Sequence, residues 1–198
     1  MIASLLLSMA LAGAPSADGT VNKTIASREV ATCLIRLAEN QSKRFLETAP
    51  GSEAARNIGG DLLLSHRGCV GPRRVFSTNL DAIRGALAEV WFDRTPATLD
   101  AAAALPAAAM GRLPNGVADL AFRPAFANCV AASAPAKTAA VLRTGYGSTE
   151  ERQAVLAMGD TLMACLPTDV TFHLKTEELR PYLAAALYYA TVRDRTGA

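Results

Sequence analysis

The residues with the clearest chemistry are four cysteines, Cys33, Cys69, Cys129 and Cys165, which are separated by 36, 60 and 36 residues. An even number of cysteines without a Cys-x-x-Cys pair indicates structural disulfides formed in an oxidising compartment, rather than a redox-active centre. The alternative is four reduced, buried thiols in a cytoplasmic protein. Two histidines and no dense cysteine cluster predict no metal site, and nothing in the sequence indicates a cofactor.

The equal outer spacings of the cysteines indicate an internal repeat. A shift of 96 residues superposes the two cysteine pairs and aligns further residues without a gap. Four cysteines permit three pairings, but each copy carries its own pair, so we predict the bonds Cys33–Cys69 and Cys129–Cys165. The other matches are Thr48 with Thr144, Gly51-Ser52 with Gly147-Ser148, Arg56 with Arg152, Phe76 with Phe172, Arg84 with Arg180, and Leu87-Ala88 with Leu183-Ala184.

Polar residues shared by both copies are expected to serve the fold, because a single active site would more often survive in one copy only. The matched serines are expected to cap helices. The matched threonines are expected to lie at a helix end and to form hydrogen bonds with backbone groups. The matched arginines are expected to form salt bridges or to bond loop carbonyls. Differences between the copies are therefore the better guide to a functional surface.

The clearest difference in charge is a basic corner around Cys69, made of His66, Arg67, Arg73 and Arg74. Such a corner could contact an anionic surface such as lipid headgroups or polysaccharide. A solvated loop without a partner is the simpler interpretation. At the matching positions the second copy has Leu162, Met163, Asp169 and Val170.

Other candidate chemistry is sparse. The sequence holds none of the standard phosphate-loop, nucleophile-elbow, dinucleotide-binding or zinc-protease motifs. The two histidines, His66 and His173, do not match at the shift of 96 residues. The acidic pairs Glu150-Glu151 and Glu177-Glu178 lie in predicted first helical turns, where the helix dipole alone explains them.

Helices must position these residues, because apolar residues recur at helical spacing and strand signals are weak. In the first copy we predict helices over 28–39, 40–47, 53–67 and 79–93. The last helix of the second copy is predicted over 176–193, starting late or kinked at Pro181. Segments 73–77 and 170–174 could be extended and pair as a small two-stranded ribbon. The predicted fold class is all-α, with two tandem helical repeats that each contain a disulfide.

Aromatic pairs end the last helix of each copy, Trp91-Phe92 in the first and Tyr188-Tyr189 in the second. Packing between the copies is the interpretation we favour for them.

The N-terminal residues 1–12 form an uncharged apolar run ending in Ala10-Leu11-Ala12, which is typical of a secretory signal peptide. No basic residue precedes Lys23, so a buried first helix is the alternative. The Ala- and Pro-rich connector is predicted to be partly helical or, nearly as readily, a flexible linker. The predicted order is a signal peptide at 1–12, an N-terminal extension at 13–27, repeats at 28–93 and 124–193, the connector at 94–123 and a tail at 194–198.

Composition narrows the function classes. The chain has 198 residues, a formal net charge of +2, 51% hydrophobic residues and 6% aromatic residues. The small net charge excludes a strongly basic nucleic-acid binder, and the apolar content excludes wholesale disorder. A transmembrane anchor requires about 20 apolar residues, so the run at 1–12 is too short for one, and no later segment reaches that length without a charge or a proline.

The doubled pattern of Cys, Leu-x-Thr-x-x-Gly-Ser, Cys, Phe and Arg resembles small secreted helical proteins of alphaproteobacteria, which are largely uncharacterised. The resemblance covers about two thirds of the chain. It implies a periplasmic or envelope location and no particular activity.

Two functions are compatible with the sequence. The first is a periplasmic or secreted, non-enzymatic binding or interaction protein of unknown ligand, with an anionic envelope component as one possible partner. The second is a periplasmic hydrolase with its site in the cleft between the repeats. Convergent carboxylates of perturbed pKa in a large pocket would favour the hydrolase.

Overall fold

The computed structural model describes residues 23–70, 80–108, 113–114, 119–168 and 176–196. The predicted signal peptide at 1–12 and the possible ribbon segments at 73–77 and 170–174 lie outside the described residues. Within them all regular structure is helical, so the prediction of an all-α fold is confirmed.

Eleven helices occupy the described residues. The first half contains α1 (Lys23–Leu37), α2 (Glu39–Glu47), α3 (Glu53–Ser65), α4 (Arg67–Val70) and α5 (Leu80–Arg94). The connector contains α6 (Pro96–Ala103). The second half contains α7 (Asp119–Ser133), α8 (Pro135–Leu142), α9 (Thr149–Leu156), α10 (Gly159–Cys165) and α11 (Thr176–Thr196).

Helix boundaries in the two halves follow the shift of 96 residues at several points. Helix α1 spans 23–37 and α7 spans 119–133, while α5 and α11 begin at 80 and 176. Helix α11 does not start late at Pro181, since it begins five residues earlier, and it includes most of the predicted tail. The duplication itself stays a prediction.

Each half makes the same sharp turn before its third helix. The backbone at Gly51 and Gly147 has φ values of +75° and +68°, in the left-handed region that favours glycine. The next residue caps the helix in both halves, as predicted. The hydroxyl of Ser52 accepts from the N–H of Ala55 at 3.1 Å, and that of Ser148 accepts from the N–H of Glu151 at 3.0 Å.

The predicted disulfides are confirmed. Cys33 on α1 bonds Cys69 on α4, and Cys129 on α7 bonds Cys165 on α10. Each bond ties the first helix of its half to the segment that follows the third helix. Closing a loop of 36 residues stabilises a fold by about 4 kcal/mol in the chain-entropy model.

Helices α5 and α11 form the centre of the core and hold the two halves together. Gly85 on α5 lies against the backbone of Pro181 on α11, which leaves no room for a side chain at Gly85. Further along, the rings of Phe92 and Tyr188 are 5.9 Å apart, and Trp91 meets Tyr188 edge-on at 6.3 Å. Packing between the halves is thus confirmed for Trp91, Phe92 and Tyr188.

Candidate functional site

The matched arginines, Arg84 and Arg180, bond the end of the second helix in their own half. Arg180 donates to the carbonyls of Val141 at 2.9 Å and Leu142 at 2.7 Å. Arg84 donates to the carbonyls of Phe45 and Thr48, the second at 2.7 Å. The carbonyls of Phe45 and Val141 also accept from the N–H and the hydroxyl of Thr48 and Thr144, so the arginines add to the hydrogen bonds that already end these helices.

Arg180 forms direct ion pairs with two carboxylates, which come from both halves. Its Nε donates to Oε2 of Glu89 at 2.9 Å, and its Nη1 lies 3.3 Å from Oε1 of Glu151. The same Oε2 of Glu89 accepts from Nη1 of Arg28 at 2.7 Å. Glu89 is 2% exposed and Glu151 is fully buried. We call Arg28, Glu89, Glu151 and Arg180 the buried charge cluster, and it joins the two halves.

Burial raises the pKa of Glu89 above its ordinary value, although Arg180 and Arg28 both act to lower it. For Arg28, burial acts to lower the pKa, but the charges of Glu89 and Asp93 and the hydrogen bonds to them outweigh that effect and raise it. The guanidinium of Arg28 therefore stays charged, whereas the carboxylate of Glu89 is held in surroundings that disfavour its charge. Oε1 of Glu89 has no hydrogen-bond partner among the described residues.

The expectation that the helix dipole alone explains Glu151 is wrong, although its predicted place in a first helical turn is confirmed. Its carboxylate accepts from the N–H of Gly147 and lies beside Arg180 in the core, besides its place in the first turn of α9. A buried carboxylate requires such partners because removing its charge from water is costly. The sequence did carry a signal for it, because the matching position in the first half is Ala55.

Above the buried charge cluster lies an open cavity of about 490 Å³, which we call the charged cleft. Two ion pairs form its rim: Arg28 with Asp93 at 2.6 Å, and Arg143 with Asp100 at 2.6 Å. Beside Arg180, its floor has an apolar part formed by Phe92, Leu99 and Leu142, which are 3%, 8% and 7% exposed. The lining comes from both halves and from α6, and includes Phe92, Pro96, Leu99, Leu142, Thr144, Gly145, Tyr146 and Arg180.

The matching place in the other half is much smaller and has fewer charged residues, Asp81 and Arg84. The shift of 96 residues replaces Arg28 by Pro124, Glu89 by Ala185 and Glu151 by Ala55. The cavity that Pro124 and Ala185 line there, next to Arg84, measures only about 10 Å³.

The guanidinium of Arg84 stacks over the ring of Phe45 at 4.7 Å. Burial lowers the pKa of Arg84 to about 10, against the opposing charges of Asp81 and Tyr189. The same helix arrangement is thus built without the buried charge cluster.

The basic corner is described only in part. The ring of His66 is half-buried, and its Nδ1 donates to the carbonyl of Leu62 at 3.0 Å, one turn back in α3. Arg67 is exposed at the start of α4. Arg73 and Arg74 lie outside the described residues, so an anion-binding patch formed by all four stays a prediction.

A second groove, of about 560 Å³, lies between the connector and helices α7 and α11. Its walls are mostly alanine and proline, including Pro106, Ala131 and Ala186, with Arg193 and Asp194 at one side. It is somewhat larger than the charged cleft, but it brings together fewer charged groups. The charged cleft is therefore the stronger candidate for a specific site.

The described residues contain no group of three or more side chains placed to hold a metal ion. In the same part of the chain, no helix has the combined length and apolar character needed to cross a bilayer. No protein-family model, curated protein or solved structure matches the chain. The protein is all-α in its described residues, and it has two internal disulfides and a charged cleft between its halves.

Proposed function

We propose that this chain is an exported, non-enzymatic binding protein whose ligand site is the charged cleft. One observation carries the proposal. Five charged residues line an open cavity in one place, whereas the small cavity at the matching place is lined by only two, Asp81 and Arg84, with Pro124 where the charged cleft has Arg28. Buried ion pairs are weak contributors to stability compared with apolar packing. Since the first-half arrangement around Arg84 is built without them, stability alone does not account for the cluster.

The disulfides support the proposal that the protein is exported. Two disulfides persist in oxidising surroundings such as the periplasm or the extracellular space. The apolar residues 1–12 support the same proposal from the sequence.

Binding suits the cleft better than hydrolysis. A hydrolase could use a hydroxyl group in the cleft as its nucleophile. The hydroxyl of Thr144, however, donates its hydrogen bond to the carbonyl of Val141 at 2.6 Å rather than to a general base that could take its proton. The raised pKa of Glu89 is the feature that a hydrolase would share. However, the carboxylate is 2% exposed and two arginines hold its Oε2, so it is poorly placed to reach a substrate.

The test is a binding screen on the disulfide-intact protein, monitored by amide chemical shifts in NMR. The probes are free amino acids, dipeptides, monosaccharides, short dicarboxylic acids and polyamines. We expect at least one class to shift resonances of residues 142–146 and α6, and R143A to weaken that binding. R152A is the matched control, because Arg152 is an exposed arginine on α9 outside the cleft. Shifts confined to other surfaces, or equal binding by both variants, would refute the proposed site.

A further inference from the structure

The rim of the charged cleft carries equal numbers of positive and negative groups. Arg28 pairs with Asp93 and Arg143 pairs with Asp100, each at 2.6 Å. A ligand with a single charge would take one member of a pair and leave the other without a partner. A ligand with one positive and one negative group can instead replace a pair and satisfy both members.

The two rim pairs differ in how firmly they are held. Arg28 is also anchored by the buried Glu89, and its side chain is 32% exposed. Arg143 and Asp100 are 47% and 68% exposed, and 43 residues of chain separate them. An exposed pair of this kind contributes less than about 1 kcal/mol to stability, so opening it costs little. Arg143–Asp100 is the pair that a ligand can open.

Apolar surface lies next to that pair. Leu99 precedes Asp100 and Leu142 precedes Arg143, and both leucines line the cleft together with Phe92. A ligand head group between Arg143 and Asp100 would therefore have an apolar floor beside it. An apolar side chain on the ligand gains free energy there by leaving water.

We infer that the charged cleft binds a free α-amino acid with an apolar side chain, an inference that rests on the proposed function. The carboxylate of the ligand accepts from the guanidinium of Arg143, and its ammonium donates to the carboxylate of Asp100. The side chain lies on the floor formed by Phe92, Leu99 and Leu142. Both new contacts are charge-assisted hydrogen bonds, and together they replace the ion pair that opens.

The experiment compares four probes by NMR titration of the disulfide-intact protein: L-leucine, N-acetyl-L-leucine, L-leucinamide and glycine. We expect L-leucine to shift the resonances of residues 142–146 and α6. N-acetyl-L-leucine lacks the ammonium group and L-leucinamide lacks the carboxylate, so each loses one charged contact. Both should bind at least about ten-fold more weakly than L-leucine. Glycine lacks the side chain and should also bind at least about ten-fold more weakly.

Variants assign the two contacts. R143A should remove the preference for L-leucine over leucinamide, and D100A should remove the preference over N-acetyl-leucine. R152A should bind L-leucine like the wild type. N-acetyl-leucine or leucinamide binding in the cleft as tightly as L-leucine would overturn the inference and leave the proposed binding site standing. No shift in the cleft with L-leucine would overturn the inference as well, and the other probe classes would then decide the proposed function.

Discussion

Glu89 and Arg180 lie 91 residues apart in the chain and form a buried ion pair across the two halves. Arg28 is a second partner for Glu89, and Glu151 is a second partner for Arg180. Even so, burial raises the pKa of Glu89, because the cost of removing its charge from water exceeds what the arginines return. The carboxylate therefore limits stability at high pH while it orients both arginines toward the cleft.

The pH dependence of stability should carry the signature of Glu89. Its unfolded pKa is near 4.5 and its folded pKa is higher, so between these values the folded state binds more protons. The stability that Glu89 contributes is fully present below pH 4.5 and is lost as the pH rises through the folded pKa. We expect the difference in unfolding free energy between wild type and E89Q to fall over this range by about 1.4 kcal/mol per unit of pKa shift. Urea unfolding at a series of pH values measures it.

Glu150 is a control for this experiment, because its pKa is shifted in the opposite direction. It is fully exposed, and hydrogen bonds from its own N–H and from the hydroxyl of Ser148 lower its pKa. Its contribution is present above pH 4.5 and is lost as the pH falls through the lowered folded pKa, so the difference between wild type and E150Q should rise with pH. A difference for E89Q that also rises with pH would show that ion pairing, rather than burial, controls Glu89.

Contacts of residues that both halves share could be predicted from the sequence, and contacts of residues that only one half carries could not. The caps at Ser52 and Ser148, and the carbonyl contacts of Arg84 and Arg180, followed from the matches between halves. The buried charge cluster was not predicted because Arg28, Glu89 and Glu151 are each charged in one half only, so no match between the halves indicates their pairing. The shift of 96 residues does mark the difference, since it replaces Glu89 by Ala185 and Glu151 by Ala55.

At the scale of helices, the contact of α5 with α11 depends on one glycine. A Cβ atom at Gly85 would lie 2.3 Å from the carbonyl oxygen of Pro181 and 2.5 Å from its carbonyl carbon. Backbone atoms cannot move aside as a flexible side chain can, so the two helices would have to separate. The missing side chain at Gly85 thus sets how closely the halves pack.

G85A should therefore lower the free energy of unfolding by about 2 kcal/mol or more. Helix propensity alone predicts the opposite sign, because alanine is better than glycine inside a helix by about 1 kcal/mol. G60A is the matched control, since Gly60 lies inside α3 and a Cβ there would meet nothing within 4 Å. We expect G60A to be neutral or stabilising in the same urea experiment. Equal effects of G85A and G60A would show that the close approach at Pro181 does not limit packing.

Helices as elements were largely predictable, because apolar spacing and caps act locally. The helix predicted over 40–47 is α2, which spans Glu39–Glu47. The helix predicted over 79–93 is α5, which spans Leu80–Arg94. The third helix was predicted to continue to residue 67, but α3 ends at Ser65 and α4 begins at Arg67. In the second half the corresponding stretch divides into α9 and α10. Such breaks depend on how a helix packs, which periodicity does not report.

For the whole molecule, two contacts at the centre join positions that the shift of 96 residues treats as equivalent. Gly85 meets Pro181, and Phe92 meets Tyr188. Residues beside a two-fold axis contact their own counterparts in this way. The two contacts follow the same order along α5 and α11, so the helices run in the same direction. This is the arrangement that two duplicated halves would adopt, and it leaves two matching clefts, of which one stays open.

The basic corner gives a prediction about the surface of the whole molecule. Changing His66, Arg67, Arg73 and Arg74 to serine should weaken co-sedimentation with anionic phosphatidylglycerol vesicles at low salt, because each arginine near such a surface contributes about 1 kcal/mol. High salt should remove the difference. R152A again serves as the control for loss of one exposed arginine. Equal sedimentation of the wild type and the quadruple variant would contradict a role for this corner in membrane contact.

The two disulfides should differ in how easily they are reduced, although they close loops of equal length. Cys129 and Cys165 are 0% and 1% exposed, whereas Cys33 and Cys69 are both partly accessible. A reductant must reach a sulfur atom to attack it, so access controls the rate when a fold stays intact. We expect increasing concentrations of dithiothreitol to reduce Cys33–Cys69 first, as shown by trapping with iodoacetamide and peptide mapping. Simultaneous reduction of both bonds would instead mean that reduction proceeds through global unfolding. The double variants C33S/C69S and C129S/C165S should each lose about 4 kcal/mol of stability, because the entropic contribution of a disulfide depends on loop length and the two loops are equally long.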